Sequence, residues 1–255
     1  MKATRFLLTA VIASALALTL SCSNEGNNTP SQQQDKPSSN SGNTSNNTSG
    51  ILQDYRNGKA YKWVKIDEQI WMAENINYAV EGSRCGGEIV ISSSIDGKTK
   101  SYNLTDENTV NCDKYGRLYR WAAAMDSACP QGWHLPSDAE WDKLTDFVSE
   151  YLYSEEGAII GSDAAIKLKA NSDLWKESPD GWDGKDNYGF VALPGGYSDD
   201  GSFKSVGEAG FWWTSTNSTN ANNAYNRNMW YALWNVSKLS GSKSNYYSVR
   251  CVKDS

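Results

Sequence analysis

Cys129-Pro130-Gln131-Gly132-Trp133-His134-Leu135-Pro136-Ser137-Asp138-Ala139-Glu140-Trp141 is the stretch of this chain whose reading decides the fold. It holds a cysteine, a turn, a second proline and the start of a helix. Ser137 and Glu140 have the spacing of a capping box: the Ser hydroxyl accepts a bond from an orphan N–H of the first turn, and the Glu carboxylate accepts one from the Ser backbone. Pro136, one residue before the cap, keeps the preceding segment out of the helix. From there Trp141, Leu144, Val148 and Leu152 recur at three and four residues, the single buried stripe of an amphipathic helix. Asp138 and Glu140 lie in its first turn, where the helix dipole favours negative charge.

Upstream, Tyr61-Lys62-Trp63-Val64-Lys65-Ile66 alternates large and polar side chains and reads as a strand; Asp67-Glu68-Gln69 is a turn and Ile70-Trp71-Met72 the returning strand. Residues 81–111 are rich in Gly, Ser, Asp and Asn and read as loops with short strands at Ile89–Ser92 and Thr99–Leu104. Gly116–Trp121 leads into a short helix over Ala122–Met125. Downstream, a second helix is expected over Asp163–Ala170. Beyond it the helical period vanishes. Phe190-Val191-Ala192-Leu193 stops at the turn Pro194-Gly195-Gly196, Asp199-Asp200-Gly201 reads as a hairpin turn, and Phe211–Ser215 and Tyr247–Val252 read as strands. Two helices among many short strands and long loops make an α+β domain.

The N-terminus is read differently. Lys2 and Arg5 precede an apolar run from Phe6 to Leu20 that closes on Ser21-Cys22, the pattern of an export signal and too short for a comfortable membrane span. A small residue followed by Cys is the pattern of a bacterial lipoprotein signal, so residues 1–21 are read as the leader and Cys22 as the lipidated residue. Thr19, flanked by Leu18 and Leu20, stands where such signals usually carry Leu. Residues 22–50 are almost entirely Ser, Asn, Thr, Gln, Gly and Pro and read as a flexible tether, which leaves residues 51–255 as one folded domain. Export is the expected destination, to the outer membrane or cell surface; Ser23 after Cys22 fits outer-membrane sorting. Losing Lys2 and Arg5 with the leader takes the formal net charge from −6 to −8. That balance argues against a nucleic-acid partner, which demands a basic face, and against charge-driven binding to an anionic bilayer.

Four cysteines remain: Cys85, Cys112, Cys129 and Cys251. In an exported chain an even count reads as two disulfides, with three pairings available. Position favours Cys85–Cys112, which closes a local loop, and Cys129–Cys251, which ties the start of the main helix to the chain end. With no Cys-x-x-Cys and a single histidine, His134, zinc is not expected.

Taken in order, Gln69–Asn75, Tyr115–Met125, the opening motif, Tyr188–Tyr197, Phe211–Ser215 and Ser248–Lys253 resemble the Fibrobacter succinogenes major paralogous domain family, over almost all of residues 55–254. The resemblance implies an exported protein, often a lipoprotein, of undefined activity. Gly132–Trp141 is also similar to the segment that opens a helix in C-type-lectin-like and formylglycine-generating-enzyme-like domains, and Val249–Val252 is similar to their last strand. This wider resemblance implies a C-type-lectin-like fold. In C-type lectins a disulfide joins the first helix region to the final strand, which supports Cys129–Cys251. The calcium-dependent sugar site of those lectins does not carry over: no Glu-Pro-Asn is present, and Trp234-Asn235-Val236 lacks the final Asp.

Two features point to binding. Asp180-Gly181-Trp182-Asp183-Gly184-Lys185-Asp186-Asn187 is rich in oxygen ligands, so Asp180, Asp183 and Asp186 are calcium candidates beside the plainer reading as a solvated loop; no other cofactor is expected. The aromatic load is the stronger feature, with 11 Trp and 14 Tyr. Trp182, Trp212, Trp230 and Trp234, with Asn235, are the candidate ligand-binding residues. Flat rings beside Asp, Asn and Lys suit stacking on sugars, and equally suit a core. Trp212 and Trp213 are adjacent, so on a strand they face opposite ways, one toward the core and one toward solvent. No enzyme is expected. His134 lies in a structural motif rather than a triad, the cysteines have disulfide partners and so do not recommend the copper chemistry of formylglycine-generating enzymes, and no motif marks a glycosidase carboxylate pair. The expectation is a lipid-anchored surface module that binds a polysaccharide or surface glycan, with a surface protein as the alternative partner.

Overall fold

A computed structural model describes residues 48–86, 93–95, 98–100, 109–153, 156–157, 159–199 and 202–255. The leader, Cys22, most of the tether and Ile89–Ser92 lie outside these residues. The strands begin with β1 (Ser49–Asp54), β2 (Lys59–Ile66), β3 (Gln69–Met72), β4 (Ser83–Cys85), β5 (Ser93–Ile95) and β6 (Lys98–Lys100). Helix α1 (Thr109–Tyr115) and strand β7 (Arg117–Tyr119) follow, then α2 (Trp121–Ala123), which runs into a π turn at Ala124–Ala128. Next come β8 (Trp133–His134), α3 (Asp138–Val148), β9 (Tyr151–Tyr153), β10 (Ile159–Ser162) and α4 (Ala164–Leu168). The chain ends with β11 (Tyr197–Asp199), β12 (Ser202–Lys204), β13 (Ala209–Asn217), β14 (Asn223–Trp230), β15 (Ser237–Ser242), β16 (Tyr247–Ser248) and β17 (Val252–Lys253). Among the described residues strand outweighs helix, which is confined to a few short segments, in keeping with an α+β or mainly β class.

The hairpin read from Tyr61 to Met72 is β2–β3, in register from Trp63↔Met72 to Ile66↔Gln69. Asp67 turns it with a φ of 53°, a left-handed conformation that Asp tolerates better than most residues. The folded region starts two residues before Ile51, because β1 pairs Gly50 with Trp63. A Cβ at Gly50 would lie 2.5 Å from the Trp63 ring, so the bare glycine lets the indole lie across the edge strand. Two main sheets result, one in the order β1-β2-β3-β17-β8 and one in the order β15-β14-β13-β16-β7-β4. The expected strand Tyr247–Val252 is split between them. β16 runs parallel to β13 in one sheet, and β17 inserts between β3 and β8 in the other.

Arg250 explains the break. Its side chain is 0% exposed. Nε and Nη2 donate to Asn75 Oδ1 at 3.0 and 2.7 Å, and Nη2 donates to the Val191 carbonyl at 3.1 Å. Nη1 reaches the carbonyls of Phe190 and Met72. No carboxylate ion-pairs with it among the described residues, and burial draws its pKa down to about 9. Asn75 Oδ1 also accepts from Trp212 Nε1 at 2.8 Å. A buried cation surrounded by oriented carbonyl oxygens thus fixes the point where the chain changes sheets.

The main helix begins as read. Ser137 Oγ accepts from the Glu140 N–H, and Glu140 accepts from the Ser137 N–H at 2.7 Å. It ends earlier than its apolar period suggests, at Val148, and Leu152 belongs to β9. Trp141, Leu144 and Val148 are buried against Trp71, Phe190 and Trp212, with ring centroids of Trp141 at 5.0 Å from Trp71 and 6.1 Å from Trp212. The second helix is shorter than Asp163–Ala170, since Lys169 leaves the helical conformation with ψ 136°. Helix α1, which begins at the end of the 81–111 stretch expected to be loop, and strand β4 are additional. Phe190–Leu193 makes only a bridge at Ala192 with Lys169, and Val191 has φ 52°. β11 and β12 form the hairpin expected around Asp199; residues 200 and 201 lie outside the described residues.

Trp212 and Trp213 do face opposite ways, but both are 0% exposed. β13 lies between two apolar clusters, Trp212 packing with Trp141 and Met229, Trp213 with Tyr119 and Tyr247. The expectation that one ring meets solvent is therefore corrected: this sheet is covered on both faces. Both expected disulfides are present, Cys85–Cys112 and Cys129–Cys251.

Candidate functional site

The segment after α4 crosses to a loop that holds Trp182. Its backbone is pinned to that helix by Lys185 N–H donating to Ile166 O at 2.8 Å and Asn187 N–H to Lys167 O at 2.9 Å. Gly184 makes the close approach, since a Cβ there would sit 2.5 Å from the Ala170 carbonyl oxygen. Facing it is the connection between β14 and β15, which carries Trp234 and Asn235. The Trp182 and Trp234 rings meet edge to face with centroids 5.1 Å apart. Both residues are half-buried. Gly161 of β10 lies directly against Trp234, where a Cβ would come within 2.3 Å of Nε1.

Lys169 holds this arrangement from beneath. It is 1% exposed, and its ammonium donates to the carbonyls of Trp182 at 2.6 Å, Trp230 at 3.2 Å, and Tyr231 and Leu233 at 3.3 Å each. Burial pulls its pKa down to about 8, an effect partly offset by Asp183. One cation thereby ties the Trp182 loop to the segment leading to Trp234.

The same loop carries the calcium candidates Asp180, Asp183 and Asp186. The loop's carboxylates serve the loop itself: Asp183 Oδ1 accepts from the Ser178 N–H and Asp186 Oδ1 from the Val191 N–H, each at 2.9 Å. Burial raises the Asp186 pKa. Asp180 is exposed. Among the described residues no group of three His, Cys, Asp or Glu side chains is placed to hold a metal. The carbonyl oxygens that a hard cation would seek converge on the Lys169 ammonium instead.

The other candidates separate. Trp212, fully buried, offers no ring face to a ligand. Trp230 is half-buried on the opposite side of β14 from Met229, its ring 5.8 Å from Phe211 and its Nε1 donating to Asn228 Oδ1 at 3.2 Å. Asn235 Nδ2 donates to Ser237 Oγ at 3.0 Å. The structure thus brings together Trp182 and Trp234, with Asn235 adjacent in sequence, and leaves Trp212 and Trp230 elsewhere. Lys169 was missed by sequence reasoning. Its only signal is a lysine following the apolar positions Ala164, Ala165, Ile166 and Leu168.

His134 is a structural bridge. Nε2 meets Glu140 Oε1 at 2.9 Å and Nδ1 meets Asp254 Oδ1 at 2.7 Å, linking the start of α3 to the chain end. Ser137 Oγ donates to Glu140 rather than to the imidazole.

A family model described as the Fibrobacter succinogenes major domain matches residues 64–253. No curated protein and no solved structure matches the chain.

Proposed function

The chain belongs to the Fibrobacter succinogenes major domain family, and from that premise and the half-buried Trp182–Trp234 pair we propose a lipid-anchored, exported surface protein whose domain is a non-catalytic glycan-binding module. The pair carries the reading. Two indoles fixed on a rigid support present flat apolar faces at low entropic cost, which suits the apolar faces of sugar rings. Export is supported by the leader pattern ending at Cys22 and is compatible with the two disulfides. No helix among the described residues is long and apolar enough to cross a membrane. A C-type-lectin-like scaffold is supported by Cys129–Cys251, which joins the segment before the main helix to the end of the chain.

The test is retention of the protein on insoluble cellulose and xylan and on a glycan array. Trp182→Ala should weaken retention about tenfold or more, since truncating a Trp anchor of a binding surface costs about 2 kcal/mol or more. Its melting temperature should barely move, because the bond from Lys169 goes to the Trp182 backbone and survives the substitution. Unchanged retention on every glycan that binds would remove this site from the reading. A protein partner is the second reading, favoured by Ile51 and Tyr55, which are 69% and 91% exposed on and just after edge strand β1. A co-purifying surface protein lost on Ile51→Ser, with no glycan retention, would select it.

A further inference from the structure

β4 is an edge of the six-stranded sheet, and its Arg84 stands opposite Leu118 of β7. Arg120, two residues beyond Leu118, follows on the same face, diagonal to Arg84. Its N–H donates to the Gly82 carbonyl at 2.8 Å, which keeps the two chains paired at that level. The guanidiniums converge on one ring, with Cζ of Arg84 4.9 Å and Cζ of Arg120 5.2 Å from the Tyr246 centroid. Tyr246 is held firmly. Its backbone exchanges bonds with Ser198 at 3.0 and 2.9 Å, and its ring packs with Leu118 and Phe203.

The other described arginines are engaged within the fold, Arg117 through Nε donating to Ser83 Oγ at 3.0 Å. Arg56 and Arg227 are ion-paired, and Arg250 is enclosed by carbonyl oxygens. Among the described residues neither Arg84 nor Arg120 has a carboxylate partner. Contact with a ring offsets part of the cost of a cation, roughly 0.5–1 kcal/mol at exposed sites, but leaves each guanidinium without an anionic partner among the described residues. An oxyanion bound at this edge would supply that partner, and the planar guanidinium fork is the side chain best matched to carboxylate and sulfate.

We infer that Arg84 and Arg120, both set against the Tyr246 ring at this sheet edge, form a clamp for the carboxylate or sulfate groups of an acidic polysaccharide. The oxyanion chemistry follows from the paired guanidiniums; assigning it to a polysaccharide rests on the glycan-binding reading above. The clamp would add to the Trp182–Trp234 pair a selectivity for charge that stacking alone lacks.

Affinity electrophoresis of the full-length protein, in gels containing polygalacturonate, dextran sulfate or neutral dextran, tests it. A chain of net charge −6 is repelled overall by acidic polymers, so retardation there reports a local site rather than bulk attraction. Retardation is expected in at least one acidic gel and not in dextran; the polymer that retards identifies carboxylate or sulfate as the group bound. Arg84→Gln with Arg120→Gln should abolish it. Arg120→Gln alone, at an exposed position, should weaken it about tenfold, the worth of one charged hydrogen bond. Trp182→Ala, read on cellulose and xylan, reports the neutral-glycan reading independently. Free migration of the wild type in both acidic gels, or equal retardation of the double variant, would overturn the clamp while leaving the Trp182 result untouched.

Discussion

At the scale of single residues, the features that organise the candidate site are buried cations. Lys169 places one ammonium among four backbone carbonyls from two separate segments. Ordering those segments by side-chain packing alone would require more apolar surface than a loop of Gly, Asp and Asn can supply. Lys169→Met keeps the stem and removes the donor, leaving the carbonyls without it in a site closed to water. An orphaned buried acceptor costs roughly 1–3 kcal/mol, so the variant should lose at least about 3 kcal/mol in urea denaturation. The near-ultraviolet circular dichroism of the Trp182–Trp234 pair should weaken with it. A stability loss below about 1 kcal/mol with an unchanged spectrum would mean that the segments hold themselves.

At the scale of elements, α3 and the chain end are joined by His134. Burial works against the imidazolium, but hydrogen bonds to Asp254 and Glu140 outweigh it and raise the His134 pKa above 6.5. For Glu140, burial is likewise opposed and outweighed, by the Ser137 N–H and hydroxyl and by His134, so its pKa falls below 4.5. A raised histidine contributes stability that is complete below its unfolded pKa and lost as pH rises through its folded one; a depressed carboxylate loses its contribution as pH falls. The clasp is therefore strongest between about pH 4.5 and 6.5. The gap in melting temperature between wild type and His134→Gln should be largest there and narrow toward pH 8.5. A gap that is flat with pH would show that the ring acts only by packing. The same elements show what was legible in the sequence. Helix α3 could be read because a cap, a proline and an apolar period all act within a few residues. Trp212 could not be placed, because its burial depends on a second layer of structure over β13 that local alternation does not encode. Arg250 and Lys169 looked like ordinary polar residues, since their partners Asn75, Phe190, Trp182 and Trp230 lie far away in sequence. Helix α1 was hidden by its polar composition, Thr109-Val110-Asn111-Cys112-Asp113-Lys114-Tyr115.

At the scale of the whole molecule, the two sheets share the segment Tyr247–Lys253, and each end of it pairs in a different sheet. Cys251 lies within that crossing and is bonded to Cys129, 122 residues earlier, just before the capping box. The other disulfide spans 27 residues. In the chain-entropy account, a cross-link stabilises by restricting the unfolded chain, so the long loop should be worth about 5 kcal/mol and the short one about 3.5 kcal/mol. The folded state acts in the same direction, because Cys129–Cys251 anchors the strand pair around Arg250 whereas Cys85–Cys112 fixes an edge. Replacing Cys129 and Cys251 together by Ala should therefore lower stability more than replacing Cys85 and Cys112, by about 1 kcal/mol or more, with the first pair unfolding both sheets in one transition. If calorimetry instead gave equal losses, or a separate early transition for the Cys129–Cys251 variant, the crossing segment would not be the joint through which the sheets unfold as one.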